Sequence, residues 1–168
     1  MSAMKTVIVS GGTFGLGQSI TVELAQRGYH VVAFGLMQPQ VSSTAQGADA
    51  LRAELTQHGC SADILEADVS DAQAVAQVVE HALSRHGAIH GLVNNAAIGP
   101  LGTVLDTDET LFERILDVNL KGTYLASRAV LPHMIRAGGG AIVNIGSGAG
   151  YGKPNMAAYS ASKAGIVG

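Results

Sequence analysis

Apolar positions along the chain fall into two alternating periods. Short runs rich in β-branched residues at 6–9, 31–34, 62–65, 89–93 and 141–145 predict five strands. Between them the spacing is helical. Ile20, Leu24 and Ala25 predict a helix stopped by Gly28, and residues 48–58 predict a second helix closed by Gly59. Ser70 and Gln73 read as a capping box for a helix running to Arg85, with Gly87 behind it. Leu111, Ile115, Leu116, Val118, Leu125, Val130, Leu131 and Met134 mark one long helix over 108–137, with a kink expected at Pro132. Gly138-Gly139-Gly140 ends that pattern, and a last helix has begun by Ala158. The stretch 38–46 is polar and reads as a loop.

Strands alternating with helices of this length predict an α/β fold with a parallel sheet covered on both faces. No internal repeat longer than the strand–helix unit and no interior linker divides the chain, so residues 1–168 are read as a single domain. In such sheets ligands bind beyond the carboxyl ends of the strands. The polar and glycine signals fall there: the loop at 10–17, then Gly35, Asp68, Asn94 and Ser147.

Composition narrows the function classes. A hydrophobic content of 47% in 168 residues is enough to bury a core. The net charge of −3, without a basic block, offers no electrostatic footprint for nucleic acid. No apolar run approaches a membrane span, and Met1 to Lys5 lead into the first strand without a basic-then-apolar leader. Cys60 is the one cysteine, which excludes an intrachain disulfide and a thiolate metal cluster and suits the cytoplasm; no metal site is expected. The 22 glycines sit at the ends of apolar runs and read as turns.

Two segments carry chemistry. Ser10-Gly11-Gly12-Thr13-Phe14-Gly15-Leu16-Gly17 lies between a strand and a helix, the context in which a glycine loop lets backbone approach a pyrophosphate and a helix start faces the anion. Near the other end, Tyr159 and Lys163 are four apart in an alanine-rich segment. On a helix that spacing stacks them on one face, where a cation beside a phenol favours the phenolate and makes an acid–base device.

Together these segments resemble the short-chain dehydrogenase/reductase family of nicotinamide-dependent oxidoreductases. The resemblance runs from about Lys5 to Gly168. The loop at 10–17 is similar to the family's TGxxxGxG with Ser for Thr; it fits the epimerase-like TGxxGxxG less well, because the last glycine would fall on Gln18. Asn94-Asn95-Ala96-Ala97 resembles NNAG with Ala97 replacing the glycine, and Asn119, Ser147, Tyr159 and Lys163 match the family's catalytic four.

The resemblance implies a Rossmann-type doubly wound sheet binding NADP or NAD. Gly11, Thr13, Phe14, Gly15, Leu16 and Gly17 would hold the pyrophosphate, and Gly35 would lie at the adenosine ribose. Asp68 and Val69 would meet the adenine, and Asn94 and Ala96 would support strands and ribose. Tyr159 is implied as general acid/base and, with Lys163, as a cofactor-binding residue, and Ser147 as donor to the substrate oxygen. Lys163 would act on the tyrosine and the ribose hydroxyls, and Asn119 would hold a water relaying protons from Lys163. The carboxylate that favours NAD at the end of the second strand is replaced by Gly35, and Leu36 stands where NADP enzymes often carry arginine. The missing acid tips the expectation slightly to NADP.

Family members continue past Gly168 with further strands and a substrate-closing loop, so the resemblance implies a dinucleotide-binding and catalytic domain that is incomplete here. The intact protein is then expected to be a homo-oligomer, dimer or tetramer, acting on a small ketone, sugar or secondary alcohol. The alternative is a non-catalytic dinucleotide-binding or assembly module that lacks a complete substrate pocket.

Overall fold

A computed structural model describes residues 4–36 and 47–168. The loop expected over 38–46 lies outside the described residues. Five strands form one parallel sheet in the order β3-β2-β1-β4-β5: β1 Thr6–Ser10, β2 His30–Gly35, β3 Asp63–Glu66, β4 Gly91–Asn94 and β5 Ala141–Asn144. Six α-helices accompany them: α1 Gly15–Gln26, α2 Ala48–Gln57, α3 Ala72–His86, α4 Glu109–Leu116, α5 Gly122–Arg136 and α6 Ala157–Val167. None of the described helices is long and apolar enough to cross a membrane.

Side-chain alternation along the strands builds two cores. Ile8, Val32, Phe34 and Leu92 point to one face and pack with Val75, Val78 and Ala82 of α3 and with Ala126 and Val130 of α5. Val7, Val9, Val31 and Ala33 point to the other face and pack with Val22 and Ala25 of α1 and with Leu51 and Leu55 of α2. Burial on both faces is why β1 and β2 read as continuous apolar runs rather than as alternating ones. β1 lies between β2 and β4, so the strand order reverses at its carboxyl end and opens a crevice between the connections that leave β1 and β4.

The structure departs from the sequence pattern in three places. The cap of α3 is Asp71, whose carboxylate accepts from the N–H groups of Gln73 and Ala74, and not the expected Ser70 box. Ser70 is one residue too early, and its hydroxyl donates instead to Asp68. The long helix over 108–137 is interrupted by a π turn at Asp117–Lys121, whereas α5 runs through Pro132 to Arg136. Apolar spacing alone does not reveal one extra residue inserted in a turn. A 3₁₀ turn at Gly148–Tyr151 lies within the glycine-rich stretch after β5, where the sequence pattern marks no element.

Candidate active site

The loop after β1 is folded tightly onto itself and onto the end of β4. Gly11 and Gly15 adopt positive φ values of 61° and 56°, which favour glycine. A Cβ on Gly11 would lie 2.8 Å from Cα of Ala96, and one on Gly17 would collide with the carbonyl oxygen of Gly11. Asn95 holds this loop closed: its Nδ2 donates to the carbonyls of Ser10 and Gly11 at 3.1 and 3.0 Å. In return, Ser10 Oγ accepts from the backbone N–H groups of Asn95 and Ala96, each at 3.1 Å. Phe14, the residue before α1, makes no side-chain cap, and no acid occupies the first turn. Among the described residues, the positive end of α1 therefore faces the crevice with no acid in its first turn and no side-chain cap.

A cleft of about 270 Å³ runs along this loop. Gly11, Phe14, Gly15, Leu16, Gly17, Gly35, Asp68, Val69 and Ala96 line it, as the sequence reading grouped them. Thr13, Asn94, Tyr159 and Lys163, also expected at the cofactor, lie outside this lining. Thr13 is turned under the loop, with its buried Oγ1 lacking a partner among the described residues. Asn94 is a strut: its Nδ2 donates to Asn144 Oδ1 at 2.9 Å and Ser127 Oγ at 3.0 Å, tying β4 to β5 and α5. The glycine cradle and the uncapped helix start fit a pyrophosphate, since both present bare backbone where a side chain would otherwise stand.

At the far end of the cleft Asp68 is held by Ser70, two positions on, and by Arg114 from a distant segment. Its Oδ1 accepts from Ser70 N at 2.9 Å and Ser70 Oγ at 2.6 Å, and its Oδ2 accepts from Arg114 Nη2 at 2.9 Å. Arg114 Nη1 donates to Ser70 Oγ at 2.8 Å, closing the ring. Burial pushes the Asp68 carboxyl up, but the Ser70 bonds and the Arg114 guanidinium outweigh it, so the net pKa lies below the ordinary carboxylate range. Val69 is seated beside it, where Gly122 leaves no room for a Cβ against the valine methyls.

A second cleft, of about 630 Å³, is lined by Gly99, Ser147, Lys153, Met156 and Tyr159 and shares Ala97 and Ile98 with the first. Ser147, at the start of the 3₁₀ turn, accepts from Ala149 N at 3.1 Å through Oγ, which leaves its own proton for a partner in the cleft. Tyr159 and Lys163 are one turn apart on α6, and the ammonium nitrogen lies 5.8 Å from the tyrosine ring centroid. Lys163 is buried and lines neither cleft, although it is expected at the cofactor; its Nζ donates to the carbonyl of Ile145 at 2.7 Å, and burial lowers its pKa.

Asn119 sits in the π turn, fully buried and outside both clefts. Its Oδ1 accepts from Ile98 N at 2.8 Å, and its Nδ2 donates to Ile98 O and Ser162 Oγ, both at 2.9 Å. Ser162 Oγ in turn donates to the carbonyl of Tyr159 at 2.7 Å. Both amide protons of Asn119 are thus committed to protein. Asn119 is joined in this way to the backbone of Tyr159 and to the wall at Ile98, and the expected relay water could meet its side chain only at the carbonyl oxygen. Asn95, Gly99, Arg114 and Ser162 were not singled out by the sequence reading. Asn95 stood within a recognised motif, while the other three act through contacts between distant segments or through shape.

The sequence pattern of the family described as short chain dehydrogenase matches residues 5–168. The chain belongs to that family. It is 32% identical over 169 residues to 3-oxoacyl-[acyl-carrier-protein] reductase FabG of Staphylococcus aureus, covering 100% of this chain and 66% of the relative. Over 166 residues it is 36% identical to dehydrogenase/reductase SDR family member 4 of Bos taurus, covering 98% of this chain and 57% of the relative. Among solved structures, NAD+-bound xylitol dehydrogenase superposes with a TM-score of 0.86 at 30% identity, covering 97% of this chain and 61% of that one. An actinorhodin polyketide ketoreductase with NADPH gives a TM-score of 0.87 at 30% identity, covering 98% and 61%. The five-stranded parallel sheet described above superposes on part of each of these structures; the chain spans 66% or less of each of these relatives.

Proposed function

We propose that the protein is an NAD(P)-dependent oxidoreductase that interconverts a small carbonyl compound and its secondary alcohol. The observation that carries this reading is the continuity of the two clefts: one is built of bare glycine backbone, the other holds Ser147 and Tyr159, and Ala97 and Ile98 form a common wall. When bound, the nicotinamide supplies or accepts the hydride. The residues of the chain do the rest. Ser147 donates a hydrogen bond to the substrate oxygen, where negative charge develops during reduction. Tyr159 gives its phenolic proton to that oxygen in reduction and takes it back in oxidation. Lys163 places a positive charge by the tyrosine ring, and with one ammonium proton given to Ile145 O it has two left that would bond the ribose hydroxyls. Asn119 and Ser162 fix the backbone that carries Tyr159.

Gly11, Gly15 and Gly17 would hold the pyrophosphate, with Phe14, Leu16 and Ala96 around it and Asp68 and Val69 at the adenine. Thr13 and Asn94 would support this site from behind. Gly35 supplies no carboxylate to repel a 2′-phosphate, which favours NADP over NAD. Exposed Phe112, Leu131 and Ile135 on α4 and α5 support assembly as a homo-oligomer, dimer or tetramer. The single, partly buried and unbridged Cys60 supports a cytoplasmic setting.

The reading is tested by titrating the protein with NADP+ and NAD+, then following reduced nicotinamide absorbance with a panel of ketones, sugars and secondary alcohols. Saturable binding with NADP+ preferred, and turnover of at least one carbonyl–alcohol pair, is the expected result. Absence of binding to either dinucleotide would overturn it, and binding without turnover on any pair would point to a non-catalytic module.

A further inference from the structure

The ring of hydrogen bonds at Asp68 goes beyond what a surface ion pair needs. Asp68 and Arg114 are separated by 46 positions, and the ring joins the turn after β3 to α4. Both residues line the cleft, with side-chain exposures of 29% and 40%, so the pair borders ligand space while staying partly solvated. A carboxylate offers about four acceptor sites. Ser70 N, Ser70 Oγ and Arg114 Nη2 fill three of them, two on Oδ1 and one on Oδ2. One acceptor site remains, on Oδ2, and the rotation of the carboxyl group that would redirect it is blocked from both sides.

We propose that Arg114 is a positioning residue for base selection: by clamping Asp68 against Ser70 it presents one fixed, ionised acceptor that takes the exocyclic amine of adenine and rejects a 6-oxo purine. This rests on the dinucleotide reading above and adds to it which base is chosen and by what device. The 6-oxo group of hypoxanthine is itself an acceptor. Facing Oδ2, it would leave two acceptors opposed in a partly desolvated site, a mismatch that buried polar groups discriminate strongly. The bidentate fork matters because a single point charge could hold Asp68 but could not fix Ser70 Oγ in the same plane. Without Arg114 the carboxylate gains rotational freedom and a vacant lone pair, and it can turn to accept from N1–H of hypoxanthine.

The test is calorimetric titration of the full chain with NADP+ and with its hypoxanthine counterpart, for the unsubstituted protein, Arg114→Met and Arg114→Lys. The unsubstituted protein is expected to bind the adenine dinucleotide roughly tenfold or more tightly than the hypoxanthine one. Arg114→Met should bring that ratio to within about twofold of unity, with Arg114→Lys in between. A clamp that serves folding alone would weaken both ligands together and leave the ratio unchanged, which would overturn the proposal. Should Arg114→Met fail to fold, the ratio for Arg114→Lys decides in the same way. Tight binding of both dinucleotides by the unsubstituted protein without preference would overturn base selection while leaving the dinucleotide reading intact. Binding of neither would remove that reading itself.

Discussion

Gly99 lies directly against the ring of Tyr159: a Cβ at position 99 would come within 2.9 Å of Cδ2 and 3.1 Å of Cε2 of the tyrosine, and 3.4 Å from Cε of Met156. The ring of the proposed acid/base is therefore located by a missing side chain on the opposite wall. Gly99→Ala should push the phenol out of line. A displacement of this kind costs roughly ten- to a hundredfold in turnover. Because Gly99 does not line the glycine-loop cleft, dinucleotide affinity should stay within about twofold of the unsubstituted protein. Steady-state kinetics with parallel binding titrations check both halves, and unchanged turnover would mean that the ring is free to adjust.

Cofactor preference should respond to one position at the end of β2. A Cβ on Gly35 would sit 3.2 Å from Thr13 Oγ1 and 3.5 Å from Cα of Gly11, close but not blocked. Gly35→Asp is therefore expected to fold, and Thr13 Oγ1, buried without a partner among the described residues, gains an acceptor. The new carboxylate would repel a 2′-phosphate and bond ribose hydroxyls, shifting the NADP/NAD affinity ratio toward NAD by roughly tenfold or more. Paired titrations with the two cofactors read this directly, and an unmoved ratio would place the 2′ position elsewhere.

At the opposite end of the sheet a carboxylate cluster ties β3 to α3. Asp63 Oδ2 accepts from His86 Nε2 at 2.9 Å and His81 Nε2 at 3.0 Å, Oδ1 pairs with Arg85 Nε at 3.1 Å, and His30 stacks on His86 with ring centroids 4.5 Å apart. Burial pushes the Asp63 carboxyl up, yet the bonds from His86 and His81 and the charge of Arg85 outweigh it and hold its pKa below the ordinary range. A lowered folded-state pKa stabilises the fold fully above the unfolded value near ~4, and that stabilisation is lost as pH falls through the folded value. Asp63→Asn should cost about 1–2 kcal/mol at neutral pH and flatten the acid limb of the stability curve. Denaturant unfolding at a series of pH values tests this; parallel curves for the two proteins would contradict it.

The parts of the fold written in local pattern were legible in the sequence. Val7 to Val9 and Val31 to Phe34 are buried on both faces and read as strands, and Gly28, Gly59 and Gly87, with φ of 80°, 66° and 80°, read as helix stops. The strand ends that carry Gly35, Asp68 and Ser147 could be placed because a parallel sheet gathers its connections on one rim. What could not be read depends on contacts between distant segments. The π turn exists where Asn119 bonds Ile98 and Ser162, and nothing in the apolar spacing of 108–137 marks an added residue. Arg114 looks like any helix-surface arginine until α4 is laid beside Asp68, and Gly99 looks like a turn residue until the Tyr159 ring covers it. Asn94 and Thr13, grouped with the binding residues by their motifs, support the cleft from behind rather than line it.

The central claim is that Tyr159 passes the proton while the glycine loop independently holds the dinucleotide. The most direct measurement is Tyr159→Phe, which removes one oxygen and retains the ring packed on Gly99, assayed for dinucleotide affinity and for turnover on the same preparation. The account predicts affinity within about threefold of the unsubstituted protein and turnover reduced by roughly a hundredfold or more. Turnover that persists unchanged in the phenylalanine variant would contradict the account.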